Sequence, residues 1–190
     1  KVTGRALYAG DLPVAGALCA RILTSTHAHA KILKIDTSAA LAAPGVKSVV
    51  TGEDCPLLFG PTLQDRPALA RDVVRYAGEP VALVVARSEP EAEEAVRRIR
   101  VDYAPLPFVL TPSEALKAGA PLVHERVNGY KKVVEDVYPE AGTNVASRYR
   151  IRKGDPTRAF SACDAVIRRR FSLPPSEHMA MEVRAARAEI

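Results

Sequence analysis

The sequence predicts an α+β fold, and three features of the chain support this. Short strand-like and helix-like segments alternate through residues 1–120. The alternation stops in a polar, turn-rich stretch over 121–143 and restarts over 144–190. Of the 190 residues, 47% are apolar and 26% charged, a balance that permits a buried core. We therefore expect one α+β domain, a linker, and the opening strands and short helix of a second α+β domain over these three ranges.

The strands of the first domain are predicted from apolar residues that recur at every second position or run together. Four segments have this pattern: 17–25, 30–36, 46–52 and 101–107. In the second of them we expect Ile32, Leu33 and Ile35 to be the buried residues. Residues 73–87 contain two apolar runs about the sequence AGEP, which predicts a hairpin or a crossover. The second run is nearly continuous and therefore predicts a buried strand.

The helices of the first domain are predicted from their capping residues and stop signals. The predicted caps are Thr37 or Ser38 for a short helix within 37–45, Ser88 with Glu91 for the next, and Thr111 with Glu114 for the third. The second helix carries apolar residues at helical spacing on one face: Ala92, Ala95, Val96 and Ile99. We expect this face to pack on the core.

The pattern beyond the linker predicts a strand, a short helix and further strands. Residues 145–151 and 165–173 are the predicted strands, and 183–190 extend as a third. Asp155, followed by Pro156, is the predicted cap of the helix between the first two. The glycine turn before this helix offers an alternative role in anion binding, but a plain helix cap is favoured.

Charge and cysteine usage limit the classes of partner and compartment. The net charge is +5, and the arginine clusters at 97–100, 148–153 and 168–170 have few aromatic neighbours. They predict salt bridges and subunit contacts rather than a nucleic-acid surface. No apolar run approaches the roughly 18 residues of a membrane span, and the N-terminal stretch has no apolar signal core. The three cysteines form no C-x-x-C motif and predict free, buried thiols in a cytoplasmic protein.

Two groups of residues are candidates for chemistry. His27 and His29 would share a face of a strand, but no third metal ligand is signalled nearby, so packing roles are favoured. His178 and Glu182 would share a face of a helix as a metal-binding or acid–base pair. The sequence from Val183 onward favours extended chain instead, which favours surface or hydrogen-bonded roles for this pair. No P-loop, G-x-G-x-x-G or G-x-S-x-G motif occurs.

The order of short motifs along the chain resembles one enzyme family. The motifs are G-x-A-x-Y-x-x-D over 4–11, S-x-x-A-H-A-x-I over 25–32, I-D at 35–36, P-G-V at 44–46, VVRYAGEPVALVVA over 73–86, VDYAPLP over 101–107 and NVASRYRIRKGDPTRAFSACDAVIRRRF over 144–171. Together they resemble the start of the large, molybdenum-cofactor-binding subunit of the xanthine dehydrogenase/aldehyde oxidase family. By this resemblance 1–120 is the α/β hammerhead domain and 144–190 is the incomplete start of the molybdopterin-binding domain.

The resemblance also implies cofactor-proximal residues near the C-terminus. In the family, the segment similar to SEHMAME approaches the molybdenum centre, which makes Ser176, Glu177, His178 and Glu182 the candidates here. Many members have glutamine two places before the histidine, where this chain has the shorter Ser176. A different substrate class, a contact through water and an inactive site are the alternatives. No metal ligand and no complete catalytic set are expected in this chain.

The complete enzyme implied by the resemblance hydroxylates an aldehyde or N-heterocycle with water-derived oxygen. It passes electrons to iron–sulfur and FAD partners, as an oligomer with no nucleic-acid or membrane partner. The pterin-binding loops and the general base lie further along the family's sequences. We therefore expect these 190 residues alone to bind no molybdopterin and to be inactive, as a shortened piece or as half of a split subunit. The alternative is a non-catalytic hammerhead module for assembly or binding.

Overall fold

The computed structural model divides the chain into two compact units. Residues 17–149 form the larger unit, and the smaller unit combines Lys1–Gly16 with Arg150–Ile190. The structure describes residues 3–12, 14–174, 176–177, 179–180, 182 and 185–188. All residues of the larger unit are therefore described.

The larger unit consists of small antiparallel sheets and short helices. Its strands are β1 (Cys19–Thr24), β2 (Ala30–Asp36), β3 (Val46–Thr51), β4 (Leu58–Phe59), β5 (Arg66–Pro67), β6 (Val73–Val74), β7 (Pro80–Ala86) and β8 (Arg100–Pro105). Its helices are α1 (Ser38–Leu41), α2 (Glu89–Arg97) and α3 (Pro112–Ala115). The sheets have the strand orders β1-β7-β3, β6-β2-β8 and β4-β5. The four main predicted strands and the predicted α+β class are confirmed.

The sheet β1-β7-β3 carries the first part of the core on its helix-facing side. Ala82 and Val84 of β7 are fully buried and pack with Ala95 of α2 and with Ile99 just beyond it. The helix face predicted from spacing is therefore confirmed, because residues three or four apart lie on one side of a helix. Arg21 of β1 forms an ion pair with Glu89 at the start of α2.

The second sheet differs from the prediction at one residue. Ile32 and Ile35 of β2 are half-buried against the second core cluster, as expected. Leu33 is 66% exposed, so its predicted burial is wrong. The pairing of β2 with β8 shifts between Ile32 and Lys34, which is a bulge. A bulge inserts one residue and breaks the two-residue alternation on which the prediction rested.

The segment 73–87 is a crossover between the two sheets. β6 pairs with β2, whereas β7 lies between β1 and β3. The turn between them includes Gly78 at φ 93°, a conformation that a side chain would disfavour. Val74 before the turn and Val81 after it are fully buried in the same cluster with Ala30. Of the two predicted arrangements, the crossover is the one that forms.

The predicted caps form at one of the three helices of this unit. At α3 the Glu114 N–H donates to Thr111 Oγ1 (3.2 Å) and the Thr111 N–H donates to Glu114 Oε2 (3.1 Å), which completes a capping box. At α2 the Ser88 hydroxyl donates to the Glu91 carboxylate (2.9 Å) instead, because the carboxylate is its strongest acceptor nearby. The predicted capping box is wrong there, although the helix forms.

Thr37 is the N-cap residue of α1, as one of the two predicted caps, but the predicted side-chain cap does not form. Neither Thr37 nor Ser38 caps the helix with its side chain. The Asp36 carboxylate accepts the Ser38 N–H (3.1 Å) and the Ser38 hydroxyl (2.6 Å), since an aspartate two residues earlier reaches the same donors. These hydrogen bonds lower the pKa of Asp36.

Residues 121–143, predicted as a linker, contribute packing of their own. Val127 and Val137 are buried with Leu63, and a 3₁₀ turn spans Val127–Gly129. Asn144 then holds the preceding segment: it accepts the Val123 N–H (2.8 Å) and donates to the Pro121 carbonyl (2.9 Å). The domain boundaries themselves stay a prediction.

The smaller unit contains one confirmed helix and lacks the predicted strands in its described part. α4 (Pro156–Ser161) is capped by Asp155, whose carboxylate accepts the Arg158 N–H at 3.0 Å. The strand prediction over 165–173 is wrong, and so is the one over 145–151, which begins in the larger unit, because these residues form no strand and have no pairing segment in the described chain. The third predicted strand, over 183–190, lies partly outside the described residues, and 185–188 form none.

Candidate functional site

The predicted cofactor-proximal residues are exposed where the structure describes them. Ser176, Glu177 and Glu182 all lie on the surface, and His178 lies outside the described residues. No group of three or more histidine, cysteine, aspartate or glutamate side chains within the described chain could hold a metal ion. The role of these four residues stays a prediction.

The two histidines near β2 have separate packing roles. The His27 ring lies against the Tyr103 ring, with 4.6 Å between the centroids. The His29 Nδ1 is hydrogen-bonded to the Pro107 carbonyl oxygen at 2.7 Å. Each ring thus joins the start of β2 to β8 or to the chain that follows it, and the predicted packing roles are confirmed.

Glu79 is a buried acid that the sequence motifs did not single out, because GEP was interpreted as a turn. Its side chain is only 4% exposed, and its Oε2 accepts the Arg75 N–H at 2.5 Å. Its backbone also connects to β1, since its carbonyl accepts the Ser25 N–H at 2.8 Å. Burial raises the pKa of Glu79 above its usual range, although the hydrogen bond and the Arg75 charge oppose this. The sequence did contain one indication of this burial, since Glu79 lies between two apolar runs.

Arg75 extends this cluster towards the segment at 121–130. Its Nε donates to the Val123 carbonyl oxygen at 3.2 Å. His124, the next residue, has its Nδ1 2.9 Å from the Tyr130 hydroxyl. Burial, followed by the Arg75 charge, lowers the pKa of His124. The Arg75 hydrogen bond therefore connects the crossover between the two sheets to the segment 121–130, which follows α3.

A cleft of about 220 Å³ borders this cluster. Arg75, Asp65 and Tyr130 line it together with apolar residues that include Leu58 and Leu69. Among its polar groups, Arg75 and Tyr130 make hydrogen bonds that hold loops together, and Arg71 and Asp72 form an ion pair with each other. We interpret the cleft as part of that packing and assign no chemistry to it.

The arginine clusters and the cysteines have the following surroundings. Arg97, Arg98 and Arg148 form ion pairs with acidic residues of the larger unit, at 2.6, 3.1 and 2.5 Å, which confirms the predicted salt bridges for these members of the first two clusters. Cys19 and Cys55 are half-buried and Cys163 is exposed. The cysteines are free thiols as predicted, but their predicted burial is wrong. They lie in β1, in a surface loop and just after α4.

Comparison with known proteins identifies the family. The sequence model of the aldehyde oxidase and xanthine dehydrogenase a/b hammerhead domain matches residues 3–107, more than half of the chain. The chain belongs to this family. The match confirms the resemblance noted from the short motifs and covers β1 to β8. Within the described residues, no helix of this family member is long and apolar enough to cross a membrane.

Individual relatives match over nearly the whole chain. A probable xanthine dehydrogenase subunit of Bacillus subtilis is 35% identical over 96% of this chain and 23% of that protein. The 6-hydroxypseudooxynicotine dehydrogenase complex subunit gamma of Paenarthrobacter nicotinovorans is 35% identical over 97% of this chain and 23% of that protein. Among solved structures, the Cu,Mo-CO dehydrogenase has a TM-score of 0.66 and 31% identity over 86% of this chain and 21% of that chain. The chain thus spans about a quarter of the length of these relatives.

Proposed function

We propose that the chain is the N-terminal part of the large subunit of a molybdenum hydroxylase. The observation that carries this proposal is the match along almost all of the chain, in one order, to the two dehydrogenase subunits. A shared hammerhead domain alone would account for residues 3–107 only. The match continues through α4, into the region expected to open the molybdopterin-binding domain.

The complete enzyme hydroxylates an aldehyde or an N-heterocycle with oxygen derived from water. The printed names support this range, since the matching family is named for aldehyde oxidase and xanthine dehydrogenase and one relative is a 6-hydroxypseudooxynicotine dehydrogenase subunit. Molybdopterin would supply the redox chemistry when bound. No reaction step is derived from this chain's residues, because Ser176, Glu177 and Glu182 are exposed and their role towards the cofactor stays a prediction.

The electron acceptors in this proposal are iron–sulfur and FAD subunits or domains, within a cytoplasmic oligomer. Two relatives are named as subunits, one of them of a complex, which supports partners in general. Apolar side chains of the smaller unit support further protein contacts: Ile151 is 94% exposed and Leu173 is 91% exposed. Single large apolar residues are common on protein surfaces. A segment that exposes several of them is more typical of a protein–protein contact.

Metal analysis of the complete gene product tests the proposal. The product is expressed with molybdate in excess, purified, and analysed for molybdenum per large subunit. A content near one atom per subunit supports the hydroxylase. Absence of molybdenum under these conditions contradicts it and favours the non-catalytic hammerhead module. Expression of a known molybdenum hydroxylase in the same host controls for cofactor supply.

Substitution of Ser176 tests whether the C-terminal stretch faces the cofactor. In the complete enzyme, Ser176→Gln should change kcat/KM for an aldehyde relative to an N-heterocycle by roughly 3–10-fold, the value of one hydrogen bond. Ser172→Gln, in the same exposed segment, is the matched control. Equal effects of the two substitutions on both substrates would place Ser176 away from the reacting groups.

A further inference from the structure

The sheet β1-β7-β3 has apolar residues on both of its faces. One face packs on the helices: Leu23 of β1, Val49 of β3 and Val84 of β7 contribute to the cluster that contains Ala95 of α2. Because side chains alternate along a strand, the residues between these point to the opposite face. The core cluster that contains the helices lies on the first face only.

The register of the strands defines the second face. Ile22 pairs with Leu83, which pairs on its other side with Val50. Two residues further along each strand, on the same face, Ala20 pairs with Val85, which pairs on its other side with Ser48. We call this set of six residues the outer face. Of its six members, all described, Ser48 alone has a polar side chain.

The outer face is open in this structure. The Ile22 side chain is 52% exposed, and Leu83, Val85 and Val50 are only half-buried. An antiparallel sheet with one face towards water normally alternates between apolar residues inside and polar residues outside. Apolar residues on both faces are typical of a sheet that lies between two layers. The outer face therefore lacks its second layer.

We propose that the second layer is a part of the same large subunit outside these 190 residues. This inference rests on the proposed function, in which the chain belongs to a longer polypeptide. In the Bacillus subtilis relative, more than three quarters of the protein lies outside the matched region, which is ample to cover a three-stranded sheet. The absence of charge from the six residues also favours a permanent, core-like contact, since interfaces that form and dissociate are more polar.

Thiol labelling of the complete large subunit tests the proposal. Every native cysteine of the large subunit, including Cys19, Cys55 and Cys163, is replaced by alanine, and Ile22→Cys or Ala20→Cys is introduced. Ala20→Cys adds little volume, so it provides a second probe if the Ile22 variant folds poorly. Glu93→Cys, on the exposed side of α2, is the control. Each variant is labelled with a maleimide, and molybdenum is measured on the same preparations.

We expect both outer-face thiols in the purified large subunit to react at least tenfold more slowly than the thiol of the Glu93→Cys control, independently of protein concentration. Equal rates would overturn the proposal. Protection that appears only with iron–sulfur or flavin subunits, or only at high concentration, would also overturn it, by assigning the layer to another subunit or a second copy. Because labelling does not require molybdenum, a protected face without the metal would contradict the proposed function alone.

Discussion

Glu79 provides the sharpest test of how the crossover between the two sheets is stabilised. Its carboxylate accepts the Arg75 N–H at 2.5 Å while its side chain is 4% exposed. We compare two substitutions. Glu79→Gln keeps an oxygen acceptor and removes the charge, whereas Glu79→Ala removes both. If the main role of Glu79 is to accept this hydrogen bond, the two variants should differ strongly.

The expected magnitudes follow from this geometry. Glu79→Ala leaves the Arg75 N–H without its acceptor, which costs about 1–3 kcal/mol. It also removes one buried methylene, worth about 0.8 kcal/mol, so the total loss is about 2–4 kcal/mol. Glu79→Gln replaces a charged acceptor by a neutral one, which weakens the hydrogen bond by about 1 kcal/mol. Removal of the buried charge offsets this loss, so we expect a change within about 1 kcal/mol.

The dependence of stability on pH has a definite sign. Because burial raises the pKa of Glu79 in the folded protein, the folded state binds its proton more tightly than the unfolded state. The resulting stabilisation is complete below the ordinary pKa of 4.5 and is lost as pH rises through the raised value. The glutamine side chain of the Glu79→Gln variant does not titrate. The stability of this variant relative to the natural protein should therefore increase from acid towards neutral pH.

Urea unfolding of the 190-residue chain, followed by far-UV circular dichroism, measures these effects across acid and neutral pH. The chain has no tryptophan, so circular dichroism is the suitable signal. If Glu79→Gln destabilises the chain as much as Glu79→Ala, the charge itself stabilises the crossover and the reasoning is refuted. A relative stability of Glu79→Gln that does not change with pH would refute the raised pKa.

Two further predictions concern the core and a helix cap. Val84→Ala, at a fully buried site of β7, should lower the free energy of unfolding by about 1.5–3 kcal/mol, whereas Val166→Ala at an exposed site should change it by less than about 0.5 kcal/mol; similar losses in urea unfolding would contradict the assignment of the core. Thr111→Ala should remove the capping box of α3 and cost about 1 kcal/mol, seen as faster amide hydrogen exchange at Glu114. Unchanged exchange there would mean that the cap does not stabilise α3.

The parts of the fold that could be predicted are those where local pattern and burial agree. The apolar spacing of α2 and the continuous apolar run of β7 each gave the correct element, because both segments pack on a core within this chain. The signals failed where a neighbouring group competed. Asp36 replaced the predicted caps of α1, and a bulge moved Leu33 to the surface. Such choices depend on geometry that spacing along one segment does not contain.

The candidate site was less predictable than the fold for a different physical reason. Glu79 appeared in the sequence only as part of a turn, and its burial depends on β6 and β7 joining different sheets. The residues near Ser176 were selected by family resemblance, and those that the structure describes are exposed. A site composed of several distant segments leaves little trace in any one of them.

The failed strand predictions and the open outer face have one explanation in common. Residues 165–173 have the apolar pattern of a strand but no pairing segment in the described chain, and Ile167 is 81% exposed there. The outer face has the pattern of an inner sheet layer but no covering layer. A strand needs a neighbour for its backbone groups, and an apolar sheet face needs one for its side chains. Both patterns are therefore explained if the missing neighbours belong to the rest of a longer large subunit, which is what the proposed function requires.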